Sequence, residues 1–457
     1  MLTAVTTIAN TVVLLSVGYL LTVIVAGRRK RPMPDGSTER FTPVFLVPCL
    51  NEERVIGATL DRLLKIPRSF VMVVDDGSDD ATAALVAEHR AEHPDRVLLV
   101  QRHAPDARRG KGAALNYGYN KLVSVCEDRS LEPHDVIVCV MDADGVIEVD
   151  AIDEVQRWFL DPKVAACQIL VRIRNRTKLI GRLQDIEFTS FTELVQQGRD
   201  TIGSSGLGGN GQFTRMSALL QLGRSPWSDC LVEDLDLGLQ LLARGWELRV
   251  CTTTSVGQQG LESVGRLVRQ RTRWVQGLFQ CWKRIPEILA SPMRMRATLD
   301  VLYYLLFPGL VCIVWPVVVV TAHAWLLVGV LTSDTTSSLG NGRFYSSLAM
   351  WYLFTFGPSL FVVFHYKRRT DEISGRRSFL LAHALAAYQL VWYVAGWKAM
   401  ARMVSGTRGW VKTERYVEDP RIRVLGAGAP DALIAAAQAA GAAPVGMAEP
   451  ARSTLER

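Results

Sequence analysis

The chain has no paired cysteines. Its eight cysteines are scattered singly, with no CxxC, which argues against a disulfide framework or a thiolate zinc site and fits a reducing cytosol. A P-loop and a GxSxG elbow are both missing, so neither Walker-type phosphate binding nor a hydrolase nucleophile is indicated. The one literal GxGxxG, Gly206–Gly211 "GLGGNG", follows the polar "GRDTIGSS" deep in the chain. A dinucleotide fingerprint opens the first strand–helix unit, so this stretch reads as a glycine loop for close backbone approach. No basic stripe with interleaved aromatics marks a nucleic-acid partner. The net charge of +7 suits an inner-leaflet surface or a nucleotide ligand.

Charge is absent from four long runs. Residues Leu2 to Ala26 carry none and are followed by Arg28, Arg29, Lys30 and Arg31. A secretory signal puts its charges before an apolar run of about 7–15 residues. This run is longer and its charges come after it, so it reads as a spanning helix of roughly 20 or more residues with the following chain in the cytoplasm. Val301–Leu331, Phe344–Phe364 and Phe379–Trp397 are the other runs. The basic loop Lys367–Arg377 is expected inside and the nearly neutral Thr332–Arg343 outside. A last simple crossing would then put the basic "RGWVKTER" (Arg408–Arg415) outside. Either Val301–Leu331, with Pro308 and Pro316, is bent or re-entrant, or Phe379–Trp397 lies in the interface. The resulting plan is a multi-pass protein of the inner or plasma membrane. It has an N-terminal span (1–27), a cytoplasmic domain (41–290), C-terminal transmembrane or interfacial helices (299–400) and a basic membrane-proximal segment (401–424). A tail rich in Ala and Gly (425–457) is expected to be disordered.

In the cytoplasmic domain short apolar runs alternate with helical stretches. Pro43–Pro48, Phe70–Val74, Val97–Val100, Val136–Met141 and Val164–Val171 read as buried strands. Between them Glu53–Lys65, Asp79–Ala91 and Gly112–Val125 have helical spacing. The pattern predicts an α/β domain with a mostly parallel sheet covered on both faces, whose ligands bind beyond the carboxyl ends of the strands.

Two carboxylate clusters fall on that rim: "DDGSDD" (Asp75–Asp80) after the second strand and "DADG" (Asp142–Gly145) after the fourth. Either cluster alone reads as a turn and helix cap, where Asp is common. Two on one rim suit a ligand. Asp142 and Asp144 are two apart and project to one side of extended chain, as suits Mg²⁺ or Mn²⁺ bound through carboxylates and substrate phosphates. Further on, Glu233 and Asp234 open a helix with an apolar stripe of Leu235, Leu239 and Leu242. They read as acidic residues favoured at a helix start or as a general base for a hydroxyl. Last, Gln270, Arg273 and Trp274 share one helical face. An interfacial helix explains a basic, Trp-bearing stretch, but not why it follows the acidic motifs.

In this order the motifs resemble those of membrane-bound family 2 glycosyltransferases, which include cellulose, chitin, hyaluronan and poly-N-acetylglucosamine synthases. The resemblance covers about residues 41–283. It implies a GT-A type nucleotide-sugar-binding domain, with Glu52 of "VPCLNEE" near the ribose and Asp75 near the base. Leu50 stands where the family usually carries an aromatic. It also implies that Lys111 of "GKGAALN" holds the donor, and that Asp142 and Asp144 form the DxD pair on the metal, Asp144 as its direct ligand. Gly209 and Asn210 of "GGNGQFTR" would line the acceptor site. Asp234 of "VED" would be the catalytic base, with Glu233 beside it on the acceptor side, and Gln270, Arg273 and Trp274 the QxxRW motif, with Arg273 and Gln270 on the diphosphate and Trp274 at the acceptor end. The implied reaction is inverting transfer from a UDP-sugar, UDP-N-acetylglucosamine or UDP-glucose ahead of others, to a growing β-linked glycan. Transfer of one sugar to a lipid acceptor is the alternative, and a non-catalytic membrane protein with a degenerate domain is a third reading.

Overall fold

A computed structural model describes residues 2–310, 314–332 and 338–406. The Arg408–Arg415 stretch, the 425–457 tail and most of the 401–424 segment lie outside the described residues.

The chain enters through α1 (Leu2–Gly27) and then builds β1 (Thr42–Cys49), α2 (Ile56–Leu63), β2 (Phe70–Asp75), α3 (Thr82–Glu92) and β3 (Val97–Gln101). Next come α4 (Lys111–Asp128), β4 (Val136–Val140), β5 (Val146–Ile147), α5 (Asp150–Trp158), β6 (Val164–Ile173) and α6 (Leu179–Ser190), which runs through a π-helical turn into α7 (Gln197–Ile202). The domain closes with β7 (Gln212–Arg215), α8 (Met216–Leu220), α9 (Glu233–Ala243), β8 (Glu247–Gln258), α10 (Val264–Gln280) and α11 (Ile285–Leu289).

The eight strands form one sheet in the order β3-β2-β1-β4-β7-β6-β8-β5. Strands β3, β2, β1 and β4 are parallel neighbours, as are β6 and β8, whereas β7 and β5 pair antiparallel. The expected mostly parallel sheet is therefore present, with an antiparallel insertion. Period-two side-chain alternation splits the core. Val44, Leu46, Met72 and Val74 pack with α4 on one face. Phe45, Val47, Val71 and Val73 pack with α2 on the other. The chain runs outward from β1 to β3 and then returns to place β4 on the other side of β1. That reversal opens a crevice at the carboxyl ends of β1 and β4, where such sheets bind ligands.

Element ends differ from the sequence expectation for local reasons. The helix expected from Glu53 starts at Ile56 because the preceding turn is bound elsewhere: the Glu52 N–H donates to Thr82 Oγ1 (2.7 Å) and the Glu53 N–H to Asp80 (3.1 Å). The helix expected from Asp79 starts at Thr82, with Asp80 Oδ1 accepting the Thr82 N–H at 3.0 Å.

C-terminal to the domain lie α12 (Met295–Gly309), α13 (Trp315–Leu331), α14 (Ser338–Thr370), α15 (Gly375–Tyr388) and α16 (Leu390–Val404). Within the Val301–Leu331 run the described elements are the end of α12 and the whole of α13, and residues 311–313 between them lie outside the described residues. By length and composition Phe344–Thr370 and Gly375–Val404 can cross a bilayer, while Leu14–Gly27 and Trp315–Leu331 are shorter apolar helices. Helix α16 is also not free of the domain. Ala399 packs with Val275 of α10, and Arg402 Nε donates to Gln276 at 2.9 Å. At the other end α1 meets α7 so closely that a Cβ on Gly198 would sit 2.0 Å from the Val23 carbonyl, so only glycine fits there.

Candidate active site

The rim loops of β1 and β2 are stitched together. Asn51 holds a left-handed φ of 52°, its N–H donates to Ser78 Oγ (2.9 Å), and its Oδ1 accepts the Asp79 N–H (2.9 Å). Asp75 Oδ1 accepts the Ser78 N–H at 3.1 Å. Asp75 and Glu52 are both buried and lie at the ends of adjacent strands. Two residues that sequence reasoning passes over brace this loop. Buried Arg102 pairs with Asp76, and Arg108 donates to the Gly77 carbonyl at 2.6 Å. Burial outweighs these partners and raises the Asp76 carboxyl.

Across the crevice, Lys111 at the start of α4 reaches Asp142 Oδ1 (2.6 Å) and the Gly209 carbonyl (2.7 Å). Gly209 in turn lies near Asp234: a Cβ on Gly209 would lie 3.1 Å from Lys111 Nζ and 3.2 Å from Asp234 Oδ2. Lys111, Asp142, Gly209 and Asp234, four residues from four separate segments, therefore form one cluster. Asn210 brackets it, accepting the Asp142 N–H at 3.2 Å and donating to Gln258 at 2.9 Å.

The electrostatics of the cluster are those of a shared, half-buried cleft. Burial opposes the Lys111 charge, but Asp142, Glu233 and Asp234 outweigh it and hold the ammonium above its usual value. Burial and the charge of Asp234 push Glu233 up to about 7, against Lys111 and Arg273. Burial likewise raises Asp234, while the Leu235 N–H, which donates to its Oδ1 at 2.7 Å, acts in the opposite direction. A carboxyl raised in this way is a better proton acceptor at neutral pH than an ordinary one.

Asp144 is fully buried. Its Oδ2 accepts the Gln259 N–H (2.9 Å) and its carbonyl accepts Arg174 Nη2 (3.0 Å). Among the described residues no three His, Cys, Asp or Glu side chains converge on a metal position. Two carboxylates at a strand exit, with Lys111 neutralising one of them, are a donor set suited to a hard cation that takes its remaining ligands from phosphates and water.

On α10, Gln270 accepts from Arg271 Nη1 at 2.6 Å. Arg271, which the sequence pattern does not single out, is fully buried, pairs with Glu187 and lies 4.0 Å over the Trp274 ring. Trp274 also packs on Phe188 (5.9 Å) and on Trp392 of α16 (6.3 Å), and Trp392 Nε1 donates to Glu187 at 2.8 Å. Trp274 is therefore built into an aromatic wall shared with the C-terminal helices.

Comparison with known proteins agrees with this geometry. Residues 43–277 match the family described as glycosyltransferase like family 2. The chain is 26% identical over 339 residues to a poly-beta-1,6-N-acetyl-D-glucosamine synthase of Staphylococcus epidermidis, covering 71% of this chain and 76% of the relative. It is 28% identical over 399 residues to a beta-monoglucosyldiacylglycerol synthase of Synechocystis, covering 83% and 76%. Among solved structures, the mannosyltransferase PcManGT from Pyrobaculum calidifontis, in complex with GDP-Man and Mn²⁺, superposes with a TM-score of 0.58 at 18% identity, covering 88% of this chain and 99% of that one. The likeness establishes the GT-A-like fold.

Proposed function

The chain belongs to the glycosyltransferase-like family 2 and is a glycosyltransferase, and from that premise we propose that it is an inverting, metal-dependent enzyme using a nucleoside-diphosphate sugar. The favoured donors are UDP-N-acetylglucosamine and UDP-glucose, and the product is a β-linked polysaccharide made at the cytoplasmic face of the membrane and passed through the C-terminal helices. The observation that carries the reading is that Lys111 Nζ and Asp234 Oδ2 both border the space where a Cβ on Gly209 would stand, which puts a cation for the leaving group near a base for the acceptor.

In this mechanism Glu52 and Asp75 hold the nucleoside. Asp142 and Asp144 would hold Mg²⁺ or Mn²⁺, which neutralises charge on the diphosphate. Lys111 and Arg273 stabilise the negative charge that the leaving group gains. Asp234 takes the proton from the acceptor hydroxyl. The hydroxyl oxygen then bonds to the anomeric carbon as the bond to the diphosphate breaks. One such displacement inverts the anomeric centre, and nucleoside diphosphate departs. No covalent enzyme intermediate is required, so no activated Ser or Cys is needed. Glu233, Gly209, Asn210 and Trp274 flank the acceptor.

The membrane setting rests on two consistent placements. The basic residues after α1 and the basic end of α14 both lie on the domain's side: Arg31 pairs with Glu247, and Arg369 with Glu193. Membrane lipids would surround the apolar helices.

A second reading, transfer of one sugar to a lipid, is favoured by the aromatic wall of Trp274, Trp392 and Phe307, which adjoins helices that lipid would surround. It also draws on the monoglucosyldiacylglycerol synthase relative. Incubation of purified protein with radiolabelled UDP-sugars and Mn²⁺, followed by sizing and solvent partition of the product, separates the two. A ladder of water-soluble glycan supports the polymer; a single labelled glycolipid supports the alternative; no transfer from any nucleotide sugar overturns both.

A further inference from the structure

The loop between α14 and α15 sends a carboxylate into the catalytic domain. Glu372 accepts Arg172 Nη2 (2.8 Å), Arg176 Nε (2.9 Å) and Arg182 Nη1 (2.6 Å). Asp185 accepts from Arg172 (2.9 Å), from the Tyr366 hydroxyl of α14 (2.6 Å) and from the Ile173 N–H (2.8 Å). The side chains of the three arginines and two carboxylates are at most 9% exposed. Three buried cations against two buried anions are held together only while both anions stay. Without Glu372 the arginines face one carboxylate, and a buried charge with no counter-charge is costly.

This cluster sits at the exit of β6, and the next residues run to Asp144. Arg174 follows Arg172 and Ile173. Its N–H bonds the Gln258 carbonyl of β8 at 2.9 Å, and its Nη2 donates to the Asp144 carbonyl at 3.0 Å. One residue past Gln258, the Gln259 N–H donates to Asp144 Oδ2 at 2.9 Å. The paired exits of β6 and β8 are locked by reciprocal bonds. Asn175 exchanges bonds with Gly260 (2.7 and 3.0 Å), and Gln184 with Leu261 (2.7 and 3.1 Å). The Gln259 N–H and the Arg174 guanidinium, which hold the Asp144 carboxylate and carbonyl, thus belong to segments anchored on the arginine cluster, and one of the cluster's two anions, Glu372, comes from the α14–α15 loop, 200 residues from Arg172 in sequence.

We infer that Glu372 is a positioning residue for the Asp144 carboxylate, so that the docked α14–α15 hairpin sets the metal affinity of the active site. The inference rests on the reading of Asp144 as a metal ligand. Partners one step removed from a metal commonly tune its affinity by about 10–100-fold.

The test is Mn²⁺ binding to the full chain in detergent with UDP present, read by electron paramagnetic resonance, together with the Mn²⁺ dependence of turnover. Glu372→Gln is expected to raise the Mn²⁺ half-saturation by on the order of tenfold, with kcat recovered at saturating Mn²⁺ and the donor KM at saturating Mn²⁺ unchanged. A role in general stability alone would not be rescued by excess metal. Glu372→Asp is expected to restore most of the affinity. Tyr366→Phe, which removes one hydroxyl and leaves all charges in place, covers the case in which Glu372→Gln does not fold, and is expected to shift the half-saturation in the same direction by a smaller factor. Wild-type Mn²⁺ affinity in folded Glu372→Gln, or in Tyr366→Phe should the former not fold, overturns the inference while Asp144→Asn still abolishes binding. Wild-type Mn²⁺ affinity in Asp144→Asn overturns the metal-site reading itself.

Discussion

Lys111 Nζ lies 2.6 Å from Asp142 Oδ1 and 2.7 Å from the Gly209 carbonyl, so one ammonium at the start of α4 links the strand-exit carboxylate to the loop against Asp234. Lys111 faces three carboxylates, Asp142, Glu233 and Asp234. The first prediction is drawn from that arrangement.

Lys111→Met is expected to lower kcat by on the order of a hundredfold, the scale for losing one preorganised charge-stabilising group. It also has a signed pH effect. Lys111 lowers the proton affinity of both Glu233 and Asp234, which burial raises. A base works only when deprotonated, so activity falls as pH drops through its pKa. Removing the cation raises that pKa further, and the acidic limb of the kcat profile is expected to move to higher pH. A limb that stays in place or moves to lower pH contradicts the assigned electrostatics.

Gly209→Ala is expected to reduce turnover while leaving the thermal midpoint within a few degrees of the parent. The new methyl would come within 3.1 Å of Lys111 Nζ and 3.2 Å of Asp234 Oδ2, tighter than ordinary contact, so the catalytic pair must spread. Gly209 has no left-handed backbone conformation to protect, so little folding cost is expected. Steady-state kinetics and a melting curve on the same preparation check both halves.

Arg271→Met is expected to destabilise the protein by about 3 kcal/mol, because it leaves the largely buried Glu187 carboxylate without its cation. Arg271 is fully buried against Glu187 and beneath the Trp274 ring. Denaturant unfolding measures the loss. A change within about 0.5 kcal/mol would place this pair among exposed ones of little worth.

The carboxylate pair gives a prediction on metal removal. Stringent chelation is expected to abolish transfer, and added Mn²⁺ or Mg²⁺ to restore it, on the proposal that Asp142 and Asp144 hold a hard cation. Full activity after chelation would contradict the role given to that pair.

Part of this arrangement is legible in the amino-acid sequence alone. The Val- and Ile-rich runs point to β1 to β4 and β6 because fully buried strands need continuous apolar residues, and the rim position of Asp75, Asp142 and Asp144 follows from the strand ends. Strands β5, β7 and β8 are not legible. β5 and β7 have two and four residues, and β8 runs through "TTTS", so none shows a clean apolar pattern. The partners of Arg271 and Glu372 are not legible either. Glu187 is 84 residues from Arg271 and Arg172 is 200 from Glu372, and no local periodicity reports a pair that only the tertiary fold creates. The available signal is a helical one. "RQRTRW" puts Arg271 on the opposite side of its helix from Arg269, the one buried and the other exposed.

The most direct test of the central claim is turnover by Asp234→Asn, measured beside UDP binding on the same sample. The account predicts that sugar transfer from the accepted UDP-sugar is abolished while Mn²⁺-dependent UDP binding stays close to that of the parent. Normal turnover in this variant would contradict the assignment of Asp234 as the base that activates the acceptor.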